Sequence, residues 1–294
     1  MAGLALLGLF AALYHPIGLA LVPELAARTG RALAVNGVFG NLGLAAAAAV
    51  TGVLAQYGGW QNAFLAPGVA GLVVGGLLLL RRWRLGAAAT HAAVKSRVAG
   101  EAIVRRTQIN VFAVVCVAAL FGGFVFNAVT VSMPKFFDER LVMLAGDLTW
   151  IGASTGIVFG IAAFAQLASG ELLDRFGARP VLICLVSGQI VLLVCLSLVE
   201  GWAVVPLALL AVILIFAEIP ITTWLLGRYV QSGLRSRAVS VEYVLALGVG
   251  SAVVPIIAAM HGIGLGFDIQ FLALGACATM VFTAAWFLPR LRNN

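Results

Sequence analysis

The chain has 294 residues, of which 63% are hydrophobic and only 10% are charged, and its formal net charge is +7. A soluble domain carries about 25% charged residues. This composition therefore excludes a soluble enzyme, a secreted module and a disordered chain, and it points to an integral membrane protein.

Nine apolar runs, each close to the ~20 residues that a helix needs to cross a bilayer, predict nine transmembrane helices. Runs of this length exclude an outer-membrane barrel, whose strands have about 10 residues. The expected fold class is therefore an all-α integral membrane protein. A polar stretch at 81–109, which carries seven Lys and Arg residues, is predicted to link two groups of spans. In chain order the predicted spans are 2–23, 32–56, 62–80, 110–133, 149–170, 179–199, 203–226, 238–260 and 265–288.

The basic residues are distributed unequally between the two sides of the predicted helices. Sixteen of the 18 Lys and Arg residues fall in one alternating set of connections, and the other set holds only Lys135 and Arg140. Because cytoplasmic connections are enriched in Lys and Arg, we expect the C-terminus inside and Met1 outside, in a bacterial inner membrane. The positive charge is then a topology signal that also meets anionic lipid, and nucleic acid is not an expected partner.

Three segment pairs resemble one another at nearly constant separation, which suggests an internal repeat. They are 30–36 with 236–242, 59–65 with 266–272, and 14–16 with 218–220. On this basis spans one to three repeat spans seven to nine in the same orientation, as in the parallel repeats of transporters. The alternative is a chance alignment of small apolar residues. The repeat predicts a partial N-terminal half at 1–80 and a complete six-span half at 110–294.

Residues 170–179, between spans five and six, read G-x-x-x-D-R-x-G-x-R. The glycines permit a tight turn, and Asp174 can accept hydrogen bonds from a helix N-terminus. A plain positive-inside loop would explain the arginines but not the spacing of the Asp and Gly residues. With this motif, the chain resembles the major facilitator superfamily, in which such a loop follows the second and eighth helices.

The resemblance implies that 110–294 corresponds to the family's helices seven to twelve and 1–80 to its helices four to six. The family's first three helices then have no counterpart, and they or another chain become possible partners. Residues 12–18 also resemble a fourth-helix pattern in fosmidomycin-resistance-like exporters, which suggests efflux. Span two lacks the Gly-Pro pair of the family's antiporter signature, so antiport is not supported.

Glu218 is the most informative polar residue inside a predicted span. Arg228 follows ten residues later, about 15 Å along a helix, so the carboxyl is expected near the middle of the ~30 Å hydrocarbon layer. A charge at that depth costs at least about 2.5 kcal/mol and marks a functional site by default. A carboxyl that binds a proton from one side and releases it to the other is what proton coupling requires. The alternative is a permanently protonated Glu bonded to a backbone carbonyl.

His15 occupies the repeat-related position, beside Pro16, which frees a backbone carbonyl. An imidazole there could bind solute or a proton, or it could simply bond to the backbone. Glu242 is expected to pair with an arginine near the end of its span. Further polar residues are candidates for a solute pathway or for interhelical hydrogen bonds: Asn127, Thr130, Gln166, Thr222 and Thr223.

Span two is expected to meet span five at the interface between the halves. Span five contains Gly152, Gly156 and Gly160, and small residues let helices approach closely in lipid. The alternative is ordinary packing within one half. When the cytoplasmic side is closed, Asp174 is predicted to cap the start of span two. The gating set comprises Gly170, Asp174, Arg175, Gly177 and Arg179 of the motif, together with Arg31.

The sequence contains no HExxH or Walker-type motif, and its four cysteines form no CxxC pair, so no catalytic residue, metal ion or cofactor is predicted. The predicted function is secondary active transport of a small solute by alternating access, coupled to protons. The alternative is an N-terminally truncated, non-transporting membrane fragment or a helper subunit. An intramembrane enzyme is disfavoured, because only Glu218 and His15 could supply its chemistry.

Overall fold

The computed structural model describes residue 22 and the ranges 28–85, 105–141 and 146–289. In these ranges all regular structure is helical, and eight helical segments are long and apolar enough to cross a membrane. They correspond to predicted spans two to nine. Predicted span one, at 2–23, lies almost entirely outside the described residues, so the count of nine stays a prediction.

Ten α-helices form these eight segments, because two segments are composite. In the first, α3 continues through a π-helical turn, Ala118–Gly122, into α4. In the second, α5 and α6 meet at Phe164. The helices are α1 Thr29–Gly58, α2 Asn62–Leu85, α3 Arg105–Val117, α4 Gly123–Arg140, α5 Leu148–Ala163, α6 Ala165–Phe176, α7 Ala178–Leu198, α8 Val204–Tyr229, α9 Ser232–Gly262 and α10 Phe267–Ala285.

Most of these helices extend beyond the predicted apolar runs. α2 continues to Leu85 and α3 begins at Arg105, so both helices enter the stretch 81–109 that was predicted to be a linker. Arginine is a good helix former, and its long side chain lets a helix continue while the charged group reaches water. Apolar length therefore underestimates the length of these helices.

Helix α8 lies at the centre of the bundle and contacts α1, α3, α5, α6 and α7. Its side chains Phe216 and Ile221 are fully buried. Phe216 packs against Phe126 of α4 and Phe159 of α5, with ring centroids 5.6 and 5.7 Å apart. Aromatic pairs at this separation stabilise a core beyond the area that they bury, so α8 is the central, well-packed helix around which polar side chains are placed.

Helix α1 packs along the composite segment formed by α5 and α6. A Cβ added at Gly152 would lie 2.7 Å from the carbonyl oxygen of Ala48, and one added at Gly156 would lie 2.9 Å from that of Ala45. The backbones therefore touch where span two was expected to meet span five. Not every glycine takes part, because Gly40 has no neighbour within 4 Å of an added Cβ.

The two ends of the bundle differ in composition. At one end, called here the tryptophan end, Trp60, Trp150 and Trp202 are all more than half exposed. The other end, called the basic end, carries arginines at the starts and ends of helices. These include Arg28, Arg31, Arg175, Arg179, Arg228 and Arg235.

Arg140, at the tryptophan end, connects three parts of the chain. It closes α4, and its guanidinium pairs with Glu200, which precedes α8, at 2.7 Å and with Asp268 at the start of α10. The Arg140 side chain is only 14% exposed. Its fork of donors suits two carboxylates at once, so this pair of contacts joins the α7–α8 connection to the beginning of α10.

Candidate functional site

At the basic end, Asp174 of α6 caps the N-terminus of α1. Its carboxylate oxygens accept hydrogen bonds from the backbone N–H groups of Gly30 at 3.0 Å and Arg31 at 3.2 Å. Trp224 of α8 donates its indole N–H to Asp174 at 3.2 Å. α1 has no acidic residue in its own first turn, so an acid from another helix satisfies amides that would otherwise lack partners.

The two glycines of the motif have different roles, and this corrects the expectation of a loop. Residues 170–176 belong to α6, and the turn is the single residue Gly177, whose φ is 78°. Gly170 instead permits close packing, because an added Cβ would lie 2.5 Å from the carbonyl oxygen of Gly30 and 2.6 Å from Cβ of Ala34. That close approach brings Asp174 within hydrogen-bonding distance of α1.

The arginines of the motif make separate contacts. Arg175 pairs with Glu171 on the same helix at 2.8 Å. Arg179, in the first turn of α7, donates to the carbonyl oxygen of Leu288 at 3.3 Å, and its guanidinium lies over the ring of Trp286. The structure therefore brings Gly170, Asp174 and Arg31 together, while Arg175 and Arg179 act at other places.

Gln166 lies between α1 and α6, two residues after the break at Phe164. It is completely buried, and neither its amide oxygen nor its amide nitrogen has a hydrogen-bond partner among the described residues. Its amide fits against Gly37 of α1, where any side chain would overlap it. Asn41 follows Gly37 by one helical turn, is 7% exposed, and its amide nitrogen also lacks a partner there. Asn41 was not among the residues singled out from the sequence, although an Asn within an apolar run is a usable signal.

Glu218 lies in the middle of α8, and its carboxylate contacts α7 and the π-helical turn. Gln189 of α7 donates its amide N–H to Glu218 Oε2 at 2.7 Å and to the carbonyl oxygen of Leu214 at 3.2 Å. Gly122, the last residue of the π-helical turn, leaves the space that Glu218 Oε1 fills, since an added Cβ would lie 2.8 Å from it. Among the described residues, one neutral amide, that of Gln189, donates a hydrogen bond to this carboxyl.

Among the residues that the structure describes, Glu242 forms no ion pair with an arginine, contrary to the sequence-based expectation. It is 6% exposed, and the side chain of Thr222 on α8 lies beside it. Arg237, the nearest basic residue before it on α9, is exposed. Spacing in the sequence could not show that these two side chains leave the helix in different directions.

The remaining polar candidates bond mainly to backbone. Asn127 donates to the carbonyl oxygen of Gly123 at 2.7 Å and approaches that of Ala246 on α9 at 3.5 Å. Thr130 donates to Phe126 of its own helix at 2.8 Å. Thr223 is 4% exposed within α8. His15 and its neighbour Pro16 lie outside the described residues.

In the part of the chain that the structure describes, no group of three His, Cys, Asp or Glu side chains could hold a metal ion. Two kinds of polar group in these residues could bind a solute or a proton. Buried amides lie between α1 and α6, and buried carboxyls lie on α8 and α9. The first kind can exchange hydrogen bonds with a polar solute, and the second can bind protons.

Comparison with known proteins supports one family. The family model described as "Major Facilitator Superfamily" matches residues 1–216. A solved structure titled "Crystal structure of a Major Facilitator Superfamily (MFS) transporter, FucP, in the outward conformation" is similar, with a TM-score of 0.65 and 13% identity. That likeness covers 94% of this chain and 73% of that chain, and it bears on the fold alone. No curated protein matches significantly, so the resemblance to fosmidomycin-resistance-like exporters stays a prediction. The chain belongs to the major facilitator superfamily of membrane transporters.

Proposed function

We propose that the chain moves a small solute across the membrane by alternating access and couples this movement to protons through Glu218. The observation that carries the proposal is a carboxyl in the middle of a spanning helix with one recorded neutral donor, the amide of Gln189 at 2.7 Å. A fixed charge in such a place is expensive, and binding a proton removes it. A cycle that loads and unloads this proton on opposite sides would drive the solute uphill.

The basic end is proposed to face the cytoplasm of a bacterial cell, because Lys and Arg accumulate on that side of membrane proteins. On this basis α1 and α2 belong to an N-terminal half, and α3–α10 form the C-terminal half. The surface where α1 meets α5 and α6 then separates the halves. Movement at that surface would open the site to one side of the membrane or the other.

The solute is proposed to bind at this surface, next to Gln166 and Asn41. Leaving a buried amide without a partner costs about 1–3 kcal/mol, and a solute that entered when the halves separate would recover that energy. An amide both donates and accepts, which suits a solute with hydroxyl or amide groups. Asp174 is proposed as the latch that holds the cytoplasmic side closed.

The test is transport by the purified protein in liposomes, with a solute first identified from a panel of drugs and metabolites by counterflow. Counterflow requires binding and alternating access but no proton gradient. We expect Glu218→Gln to retain counterflow and to lose accumulation driven by an imposed pH gradient. The matched control is Glu139→Gln, which removes an exposed carboxyl and should keep both activities. Uphill transport by the Glu218→Gln variant under a proton gradient would refute the coupling role.

A further inference from the structure

Glu242 is a second carboxyl buried in the same bundle, and the transport cycle proposed above does not use it. The side chain of Thr222 lies beside Glu242, and the Glu242 oxygen Oε2 is buried without a partner among the described residues. A carboxylate can accept about four hydrogen bonds. Because a buried charge with so few donors is costly, binding a proton relieves that cost.

Helix α8 connects the two carboxyls. Thr222 follows Glu218 by four residues, so both side chains lie on one face of α8 with Cβ atoms about 5–6 Å apart. A side-chain rotation or one bridging water spans such a gap. Glu218, Thr222 and Glu242 thus form a row of groups that can donate or accept a proton.

Helix α3 and its π-helical turn follow the same row. Cys116 is within electrostatic reach of Glu242, and Gly122 provides the space beside Glu218. α3 runs away from the basic end and α8 runs toward it. Ala246 of α9 packs on Gly123, where an added Cβ would lie 3.1 Å from Cα of Ala246. Glu242 precedes Ala246 by four residues on a helix that runs away from the basic end, so it lies nearer the basic end than Glu218, which faces Gly122.

The groups packed around the row are compatible with proton movement. From α7 the neighbour of Glu218 is Gln189, and from α10 it is Val281. On α9 itself, Arg235 donates to the carbonyl oxygens of Gly227 and Val230, at the end of α8. Arg237 is exposed, and α4 contributes the neutral amide Asn127 to the packing on α9.

We propose that Glu242 is a second proton-binding site and that Thr222 transfers protons between Glu242 and Glu218. The proton of the Glu242 carboxyl passes to the hydroxyl oxygen of Thr222 as the hydroxyl proton leaves toward Glu218. Thr222 is unchanged at the end, Glu242 has lost one proton and Glu218 has gained one. This path rests on the proposed proton coupling through Glu218. It would bring protons to Glu218 from the basic end.

The path can be tested without a transported solute, by infrared spectroscopy of the full chain in lipid bilayers. Transfer from H2O to D2O shifts the carbonyl band of a protonated carboxyl, and the time course gives its exchange rate. Bands are assigned by their loss in Glu218→Gln and in Glu242→Gln. We expect Glu242→Gln and Thr222→Val each to slow exchange at Glu218 by roughly tenfold or more.

Two controls separate the path from a general effect on folding. Thr222→Ser keeps a hydroxyl and should exchange at the wild-type rate. Thr130→Val removes a hydroxyl that bonds only to carbonyls of its own helix and should also have no effect.

Two results would overturn the inference: unchanged exchange at Glu218 in both Glu242→Gln and Thr222→Val, or a Glu242 that shows no protonated band at any pH at which the protein is folded. Neither result depends on the transport assay of Glu218→Gln, so coupling through Glu218 and entry through Glu242 succeed or fail separately.

Discussion

Asp174 shows how one side chain can connect helices that are far apart in sequence. It accepts from two amides of α1 and from the indole of Trp224 on α8. The N-terminus of a helix carries about half a positive charge, so a carboxylate there is stabilised by the helix dipole as well as by the hydrogen bonds. Because the contact is polar and lies at the edge of the bundle, it can break and reform without exposing a core.

We predict that Asp174→Asn weakens the latch at the basic end by about 1 kcal/mol, since the amide keeps a hydrogen-bond acceptor but loses the charge. A change of that size alters the ratio of closed to open protein about fivefold. Cysteines placed along α1 and α5, in a background without the four native cysteines, should become more accessible to a maleimide from the basic end.

The matched control for Asp174→Asn is Glu171→Gln. It removes the same charge from the same helix, but Glu171 pairs with Arg175 and makes no hydrogen bond to α1 in the described structure. Equal labelling of Asp174→Asn and wild-type protein, with both fully folded, would count against the latch.

At the scale of elements, glycine spacing determines how closely α1 approaches α5. The carbonyl oxygen of Ala48 and Cα of Gly52 lie so near Gly152 that an added Cβ would be 2.7 and 3.1 Å from them. These are backbone atoms, so the contact can be relieved only if the helices move apart. In lipid, helix association depends on such packing, and the interface therefore depends on glycine at this position.

We predict that Gly152→Ala lowers stability by about 1–3 kcal/mol relative to Gly160→Ala. Gly160 lies on the same helix, and its added Cβ would meet only Cβ of Ala45 at an ordinary 3.8 Å. Both substitutions gain the same helix propensity, so their difference isolates the interhelical contact. The measurement is the thermal unfolding midpoint in detergent, followed by tryptophan fluorescence at one scan rate. Equal unfolding midpoints for the two variants would show that moving α1 away from α5 costs no stability.

At the scale of the whole molecule, basic residues are concentrated at one end, and the two that lie at the tryptophan end, Lys135 and Arg140, both pair with nearby acidic residues. Lys135 pairs with Asp138 at 2.9 Å, and Arg140 pairs with Glu200 and Asp268. The tryptophan end therefore has no unpaired excess of positive charge from these residues. The orientation is argued from the count of Lys and Arg residues alone, so these pairs with acidic residues leave that argument unchanged.

We predict that a membrane-impermeant maleimide labels Gln61→Cys in intact cells and labels Gly233→Cys only after the cells are permeabilised. Both positions are exposed, at the tryptophan end and the basic end respectively, and the four native cysteines would be removed first. The opposite pattern would place the basic end outside and would reverse the proposed direction of proton entry.

The sequence alone determined the fold class, the existence and order of spans two to nine, and the family, although several helices extend five to seven residues beyond the predicted bounds. It could do so because lipid requires every spanning segment to be apolar and to satisfy its own backbone hydrogen bonds, and both requirements are local. It also predicted that Asp174 would contact the start of α1. The N-terminus of a helix carries a partial positive charge, and a carboxylate is a favourable partner for it. The functional role of that contact stays a prediction.

Only the tertiary structure decided which polar groups meet. Glu218 was chosen by its depth, but its partner Gln189 is on another helix, and Glu242 lies beside Thr222 rather than beside the arginine nearest in sequence. Residues 170–176 form a helix although the motif suggested a loop. In each case the outcome depends on the rotation of one helix about its axis against another, and close packing of side chains sets this rotation.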